Sequence, residues 1–137
     1  MNRSHIPGIT LILAGTLIAL APYFLVPVCE GHAPMKCFWT ARAALGTGIL
    51  IIWGGLLYCL CRDAGTRLGI AAMSAGAALL AIAFPSVLIG VCATETMPCH
   101  MGTLPALVLA GSLALAISLT ACLRCRRAKS RREGPHA

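Results

Sequence analysis

The sequence predicts an all-α membrane protein: four transmembrane helices arranged as two parallel-repeat hairpins, with both termini on the cytoplasmic side. Three observations carry this. Of 137 residues, 58% are hydrophobic and only 11% charged, against roughly one quarter charged in a soluble domain. The apolar residues gather into four runs of about twenty, the length that crosses roughly 30 Å of hydrocarbon at about 1.5 Å per residue. One short phrase also occurs twice, sixty-three residues apart, where the first and third runs end.

The four runs are Gly8 to Val28, Ala43 to Cys61, Leu68 to Val91, and Leu104 to Leu123, and none contains a charge. Lipid offers backbone groups no hydrogen-bond partner, so spans of this length must be helical. The first run exceeds the roughly 7–15 apolar residues of a signal peptide. Val28 stands where a lipoprotein site at Cys29 would need a small residue. The first span is therefore expected to stay in the mature protein.

Orientation follows from the basic residues. Arg3 precedes the first span, Arg62 and Arg67 lie between the second and third, and Arg124, Arg126, Arg127, Lys129, Arg131 and Arg132 fill the tail. Only Lys36 and Arg42 lie on the other side. By the positive-inside rule both termini face the cytoplasm of a bacterial inner membrane, and two outer loops face away from it. The net charge of +7 sits beside membrane ends. It is a topology signal that also meets anionic lipid, not the footprint of a nucleic-acid binder.

The repeated phrase is Pro22-x-x-Leu25-x-x-Val28-Cys29, matched by Pro85-x-x-Leu88-x-x-Val91-Cys92. Thr40 with Thr103 and Cys59 with Cys122 keep the same offset, while Met35 with Met97 and Cys37 with Cys99 are one residue closer. Residues 1–67 form the first hairpin, 68–123 the second, and 124–137 a basic cytoplasmic tail, expected to be disordered or to lie on lipid headgroups. Small residues predict the helix contacts: Ala106, Ala110, Ala114, Ser118 and Cys122 on the last span, Gly65, Gly69, Ala72 and Gly76 on the third, and Ala44 with Gly48 on the second. Either close packing within the chain or a homo-oligomer would use such stripes. Pro22 and Pro85 each remove a backbone hydrogen bond and should bend their helices below the loops.

The loops hold the chemistry. The first carries Cys29, His32, Met35 and Cys37, and the second Cys92, Met97, Cys99, His100 and Met101. Sulfur and imidazole donors with few carboxylates suit a soft metal, copper(I) above all, which makes His32, Met35, Cys37, Met97, Cys99, His100 and Met101 the candidate ligands. Cys29, Cys37, Cys92 and Cys99 are equally candidates for structural disulfides or for redox-active thiols, since extracytoplasmic cysteines usually pair. Pairing within each loop and pairing between loops are both open. No outer Cys-x-x-Cys motif occurs; Cys37 and Cys99 are expected just before helix starts, the favourable end of the dipole. Glu30 and Glu95 are expected to be solvated loop acids.

At the opposite end, Cys59-x-Cys61 and Cys122-x-x-Cys125 bring four cysteines to matched helix ends, which could suit zinc or an iron–sulfur cluster. On a continuing helix Cys59 and Cys61 point about 200° apart, so small apolar filler is the plainer reading. Trp39 and Tyr58 are interface aromatics at the outer and inner surfaces. The chain has no phosphate loop, no Ser/His/Asp set and no charge within a span to mark an ion path. No catalytic residue is assigned.

Met35-Lys36-Cys37-Phe38-Trp39-Thr40-Ala41, with Cys29 upstream and Met97-Pro98-Cys99-His100 in the second half, resembles an uncharacterised family of small bacterial four-span membrane proteins. Its first outer loop carries a Met-basic-Cys-His-Trp-Thr core. This chain has Phe38 where the family often has His, and His100 keeps the equivalent in the second loop. The resemblance covers nearly the whole chain. It implies a companion of export-class ABC-type permeases, hence an accessory subunit and not a catalyst. The expected function is a non-enzymatic accessory whose loops contact an exported or periplasmic partner and handle copper. The alternatives are a membrane thiol–disulfide oxidoreductase and a scaffold with disulfide-stapled loops.

Overall fold

The computed structural model describes residues 5–25, 36–90 and 102–133. Among these, four helices carry the fold: α1 (Ile6–Leu20), α2 (Lys36–Leu60), α3 (Ala64–Ala83) and α4 (Leu104–Glu133), with no strand. Five-residue π-helical turns, Ala21–Leu25 and Phe84–Leu88, continue α1 and α3. All four helices are long and apolar enough to cross a membrane. Packing runs round a ring: α1 lies chiefly on α2 and α3 on α4, while α2 with α3 and α1 with α4 close it.

The α1/α2 seam is made of glycine. A Cβ on Gly15 would stand 2.8 Å from the Gly48 carbonyl oxygen, and one on Gly48 2.7 Å from that of Gly15. One on Gly55 would stand 2.7 Å from the Gly8 carbonyl, and one on Gly8 would run into the Cys59 sulfur. Gly8 opposite Gly55 and Gly15 opposite Gly48 describe antiparallel helices with a seven-residue repeat, so the backbones touch at every second turn. Lipid supplies no hydrophobic force between helices, and close dispersion contact of this kind replaces it. The remaining core is mostly alanine, with Leu11, Ile18, Ile51 and Leu107 as its large side chains.

On α4 the buried face is Thr103, Leu107, Ala110, Gly111, Ala114, Ser118, Ala121 and Cys125, not the every-fourth-residue stripe expected; Ala106 and Cys122 are only half-buried. The reason is geometric. Steps of four drift about 40° each around a helix of 3.6 residues per turn, whereas alternating steps of three and four hold a seam. Ala44 and Gly48 are buried on α2 as expected. On α3 the buried residues are Ala71, Ser74, Ala78 and Ala81. Gly65, Gly69, Ala72 and Gly76, expected to make helix contacts, lie on the outward side.

Asp63 sets the start of α3 four residues before the apolar run. Its carboxylate accepts from the Thr66 backbone N–H at 2.8 Å and from the Thr66 hydroxyl at 3.1 Å, satisfying an otherwise orphaned donor. For residues 124–133 helix replaces the disordered alternative: α4 continues through Glu133, about 15 Å beyond Leu123. A span that has already nucleated adds further turns cheaply. Arginine and lysine are good helix formers and also suit the negative end of the helix dipole.

Candidate functional site

The end of the bundle from which segments 26–35 and 91–101 leave is built from the two π turns and the first turns of α2 and α4. Each π turn has proline at its second position, Pro22 or Pro85, and both side chains are fully buried. Proline lacks an N–H and its ring crowds the carbonyl four residues back. A wider turn accommodates both defects without ending the helix. After Pro85 the chain closes on itself, with the Ile89 and Gly90 N–H groups donating to the Phe84 carbonyl at 3.0 and 3.1 Å. Gly90 then turns out at φ +78°, a left-handed conformation that glycine adopts without a Cβ penalty.

Thr40 joins the two hairpins at this end. Buried near the start of α2, its hydroxyl donates to the Gly90 carbonyl at 2.8 Å. Thr103, just before α4, is equally buried, but its hydroxyl has no partner among the described residues. Around the rim stand exposed aromatics: Tyr23 and Phe24 on the first hairpin's π turn, Phe38 and Trp39 on α2. Phe38 and Trp39 meet edge to face at 6.1 Å, and the Arg42 guanidinium lies 4.8 Å from the Phe38 ring centre. Aromatic rings with a basic group among them mark a water interface.

Of the sequence-predicted site residues, Cys29, His32, Met35, Cys92, Met97, Cys99, His100 and Met101 lie outside the described residues, as do Glu30 and Glu95. Cys37 is the second residue of α2, inside the helix and not before it, since Lys36 already opens it. Its side chain is not described. The disulfide and copper assignments thus remain proposals.

At the opposite end the four cysteines diverge. The Cys59 thiol points to α1, 3.9 Å from the His5 carbonyl, while Cys125 is buried against the Tyr58 hydroxyl at 3.4 Å. Cys122 packs at the edge of the cluster formed by Tyr58, Ala71, Ala121 and Cys125. All four thiols are free, and among the described residues no three His, Cys, Asp or Glu side chains converge to hold a metal. Neighbouring positions on a helix point about 100° apart, so Tyr58 faces α4 while Cys59 faces α1.

Sequence reasoning missed the role of Tyr58 and Arg67. Tyr58 is buried, not simply an interface ring. Arg67 stacks its guanidinium 5.1 Å from the Tyr58 ring centre and donates from Nε to the Cys61 carbonyl at 2.6 Å. Arg67 therefore ties the end of α2 to the first turn of α3. The signal was available: Ala44, Gly48, Ile51, Gly55 and Tyr58 follow the alternating four-and-three spacing of a helix seam.

The buried polar side chains among the described residues are Thr40, Thr47, Ser74, Thr103 and Ser118, with no charged one. Thr47 and Ser118 return their hydroxyls to carbonyls of their own helices, which silences them as a polar path.

The chain belongs to a family described as a domain of unknown function, DUF4418, whose model matches residues 11–124. That match takes in all but the first three residues of the four apolar runs and stops at the start of the basic tail. No curated protein and no solved structure matches the chain.

Proposed function

We propose that this family member is a multi-pass protein of the bacterial inner membrane, with both termini cytoplasmic, that serves as a non-enzymatic accessory subunit of an ABC-type permease system. The carrying observation is an interior with no buried charge among the described residues, its α1/α2 seam packed glycine to glycine. Such a bundle offers no ion or proton path of its own, and among its described residues no three His, Cys, Asp or Glu side chains converge on a metal site. What remains is a rigid pedestal with loops at one end. The matched placement of Pro22 and Pro85 in buried π turns supports two copies of one hairpin, each presenting a Cys/Met loop. The loop donors, with His32, Met35, Cys37, Met97, Cys99, His100 and Met101 in that role, would take a soft metal such as copper(I).

Purification of the tagged chain from its native membrane in mild detergent tests the accessory role. The expected result is co-purification of a permease whose transport falls when the chain is deleted. A stable chain without partners, whose deletion leaves transport unchanged, would overturn the proposal. A mixed disulfide trapped by Cys37→Ser or Cys99→Ser would replace it with thiol exchange.

A further inference from the structure

We propose that the groove between α2 and α3 holds one acyl chain of an anionic phospholipid, whose phosphate rests on the arginines at the 61–63 turn. The proposal depends neither on the accessory role nor on which side of the membrane this end faces. Small residues make the groove. A Cβ on Gly54 would stand 2.5 Å from the Ser74 hydroxyl oxygen, so the two helices meet there. Gly54, Ser74 and Ala77 leave a recess over that contact, walled by the larger Trp53, Leu57 and Leu80. These three walls stay exposed, so the recess opens sideways onto lipid.

Its dimensions select the occupant. The volume is about 440 Å³, and the lining on α3 runs from Ile70 to Leu80, a length of about 15 Å. The mean section is therefore about 30 Å², or roughly 6 Å across. A helix with its side chains is about 10–12 Å wide and does not fit inside. A hydrocarbon chain in van der Waals contact, about 4–5 Å wide, does.

Charge at one end of the groove specifies the headgroup. Arg67 stands one turn before Ile70 on the same face of α3, and its Nε donates to the Cys61 carbonyl, in the turn that joins the two lining helices. Arg62 is exposed in that turn. Arg124, also exposed, acts electrostatically on Tyr58 from α4, as Arg67 does from α3. The opposing acid is Asp63, whose carboxylate accepts from the Thr66 N–H and hydroxyl. Three arginines against one aspartate leave this end positive. Guanidinium groups match phosphate oxygens with paired N–H donors, and basic pockets between helices at a membrane face hold acidic lipid headgroups. Leu57 and Ile70 begin the groove about 6 and 9 Å inside the turn, close to the thickness of one headgroup layer. A phosphate on the turn thus sets its acyl chains at the mouth of the groove.

Native mass spectrometry of the purified full-length chain, titrated with phosphatidylglycerol or with phosphatidylcholine of the same acyl chains, tests this. One phosphatidylglycerol per chain should be held more tightly than phosphatidylcholine, by about fivefold for each arginine engaged. Arg62→Gln should weaken phosphatidylglycerol about fivefold and leave phosphatidylcholine unchanged. Gly76 lines the groove, and a Cβ there meets nothing within 4 Å; Gly76→Phe should fill the groove and weaken both lipids, with the unfolding midpoint unchanged. Gly69→Phe is the control: that position is equally open on the same helix but does not line the groove, so both lipids should bind as before. Equal retention of the two lipids, binding indifferent to Arg62→Gln or to Gly76→Phe, or equal loss with Gly69→Phe would each overturn the proposal. The experiment contains no permease, so its failure leaves the accessory reading standing.

Discussion

Gly48→Ala adds one methyl group to the α1/α2 seam, and the structure sets how badly it fits. The new Cβ would lie 2.7 Å from the Ala19 Cβ, 2.7 Å from the Gly15 carbonyl oxygen and 2.8 Å from the Ala19 nitrogen. Two of these three atoms are backbone, so no rotamer change relieves them. The helices must part by about 0.7 Å to reach ordinary contact at 3.4 Å. A gap of that size along the neighbouring contacts forfeits roughly a quarter to a half of each dispersion well. Overpacking of this kind costs about 1–3 kcal/mol, and rigid backbone on both sides puts this site near 2 kcal/mol. Gly46→Ala is the matched comparison, because a Cβ there meets nothing within 4 Å and alanine is the better helix former by about 1 kcal/mol. That gain in helix propensity is common to both substitutions, so the two variants should differ by the overpacking alone, about 2 kcal/mol, roughly thirtyfold in the folding equilibrium. Reversible unfolding in mixed micelles, followed by the fluorescence of Trp39 and Trp53, reads the difference. Equal stability of the two variants would refute the claim that backbone contact at glycine holds the first hairpin together.

Thr40→Val removes the hydroxyl that ties α2 to the Gly90 carbonyl and should cost about 1 kcal/mol, with faster hydrogen exchange at the Ile89 and Gly90 amides. Thr103→Val deletes a buried hydroxyl that has no partner among the described residues, so it should be neutral or stabilising in the same unfolding assay. Gly90→Ala forces an L side chain to φ +78° and should destabilise by about 1–2 kcal/mol. Tyr58→Phe keeps the ring under Arg67 but loses the contact to Cys125; a loss of about 1 kcal/mol or less is expected. If the loops hold copper(I), the chain loaded in a cuprous buffer should lose its metal on combined Met97→Ala and His100→Ala, read by elemental analysis.

Much of the architecture was legible because lipid allows few solutions. A charge-free run of about twenty residues must be a helix that crosses, and four such runs with short connections make a bundle. Each helix as found overlaps its run, and the differences at the ends have local causes: Asp63 caps α3 early, and α4 continues through its basic residues because extending a helix is easy once it exists. The direction in which small residues point was much less legible. Ala106 to Cys122 and Gly65 to Gly76 look alike as text. In the folded chain the first set brackets a buried seam that drifts off it at both ends, while the second faces outward. The helix period alone does not say which side meets a neighbour.

The sequence by itself therefore determined the class of structure, the number of spans and the residues available for loop chemistry, since these depend on length, hydropathy and residue type. Only the tertiary structure decided which glycines touch backbone, which threonine reaches the other hairpin, and that Tyr58, Arg67 and Cys125 meet while Cys59 turns away. Those outcomes depend on helix rotation and pairing. Both are set by the sum of many weak contacts between residues far apart in the chain, and no local pattern carries that sum.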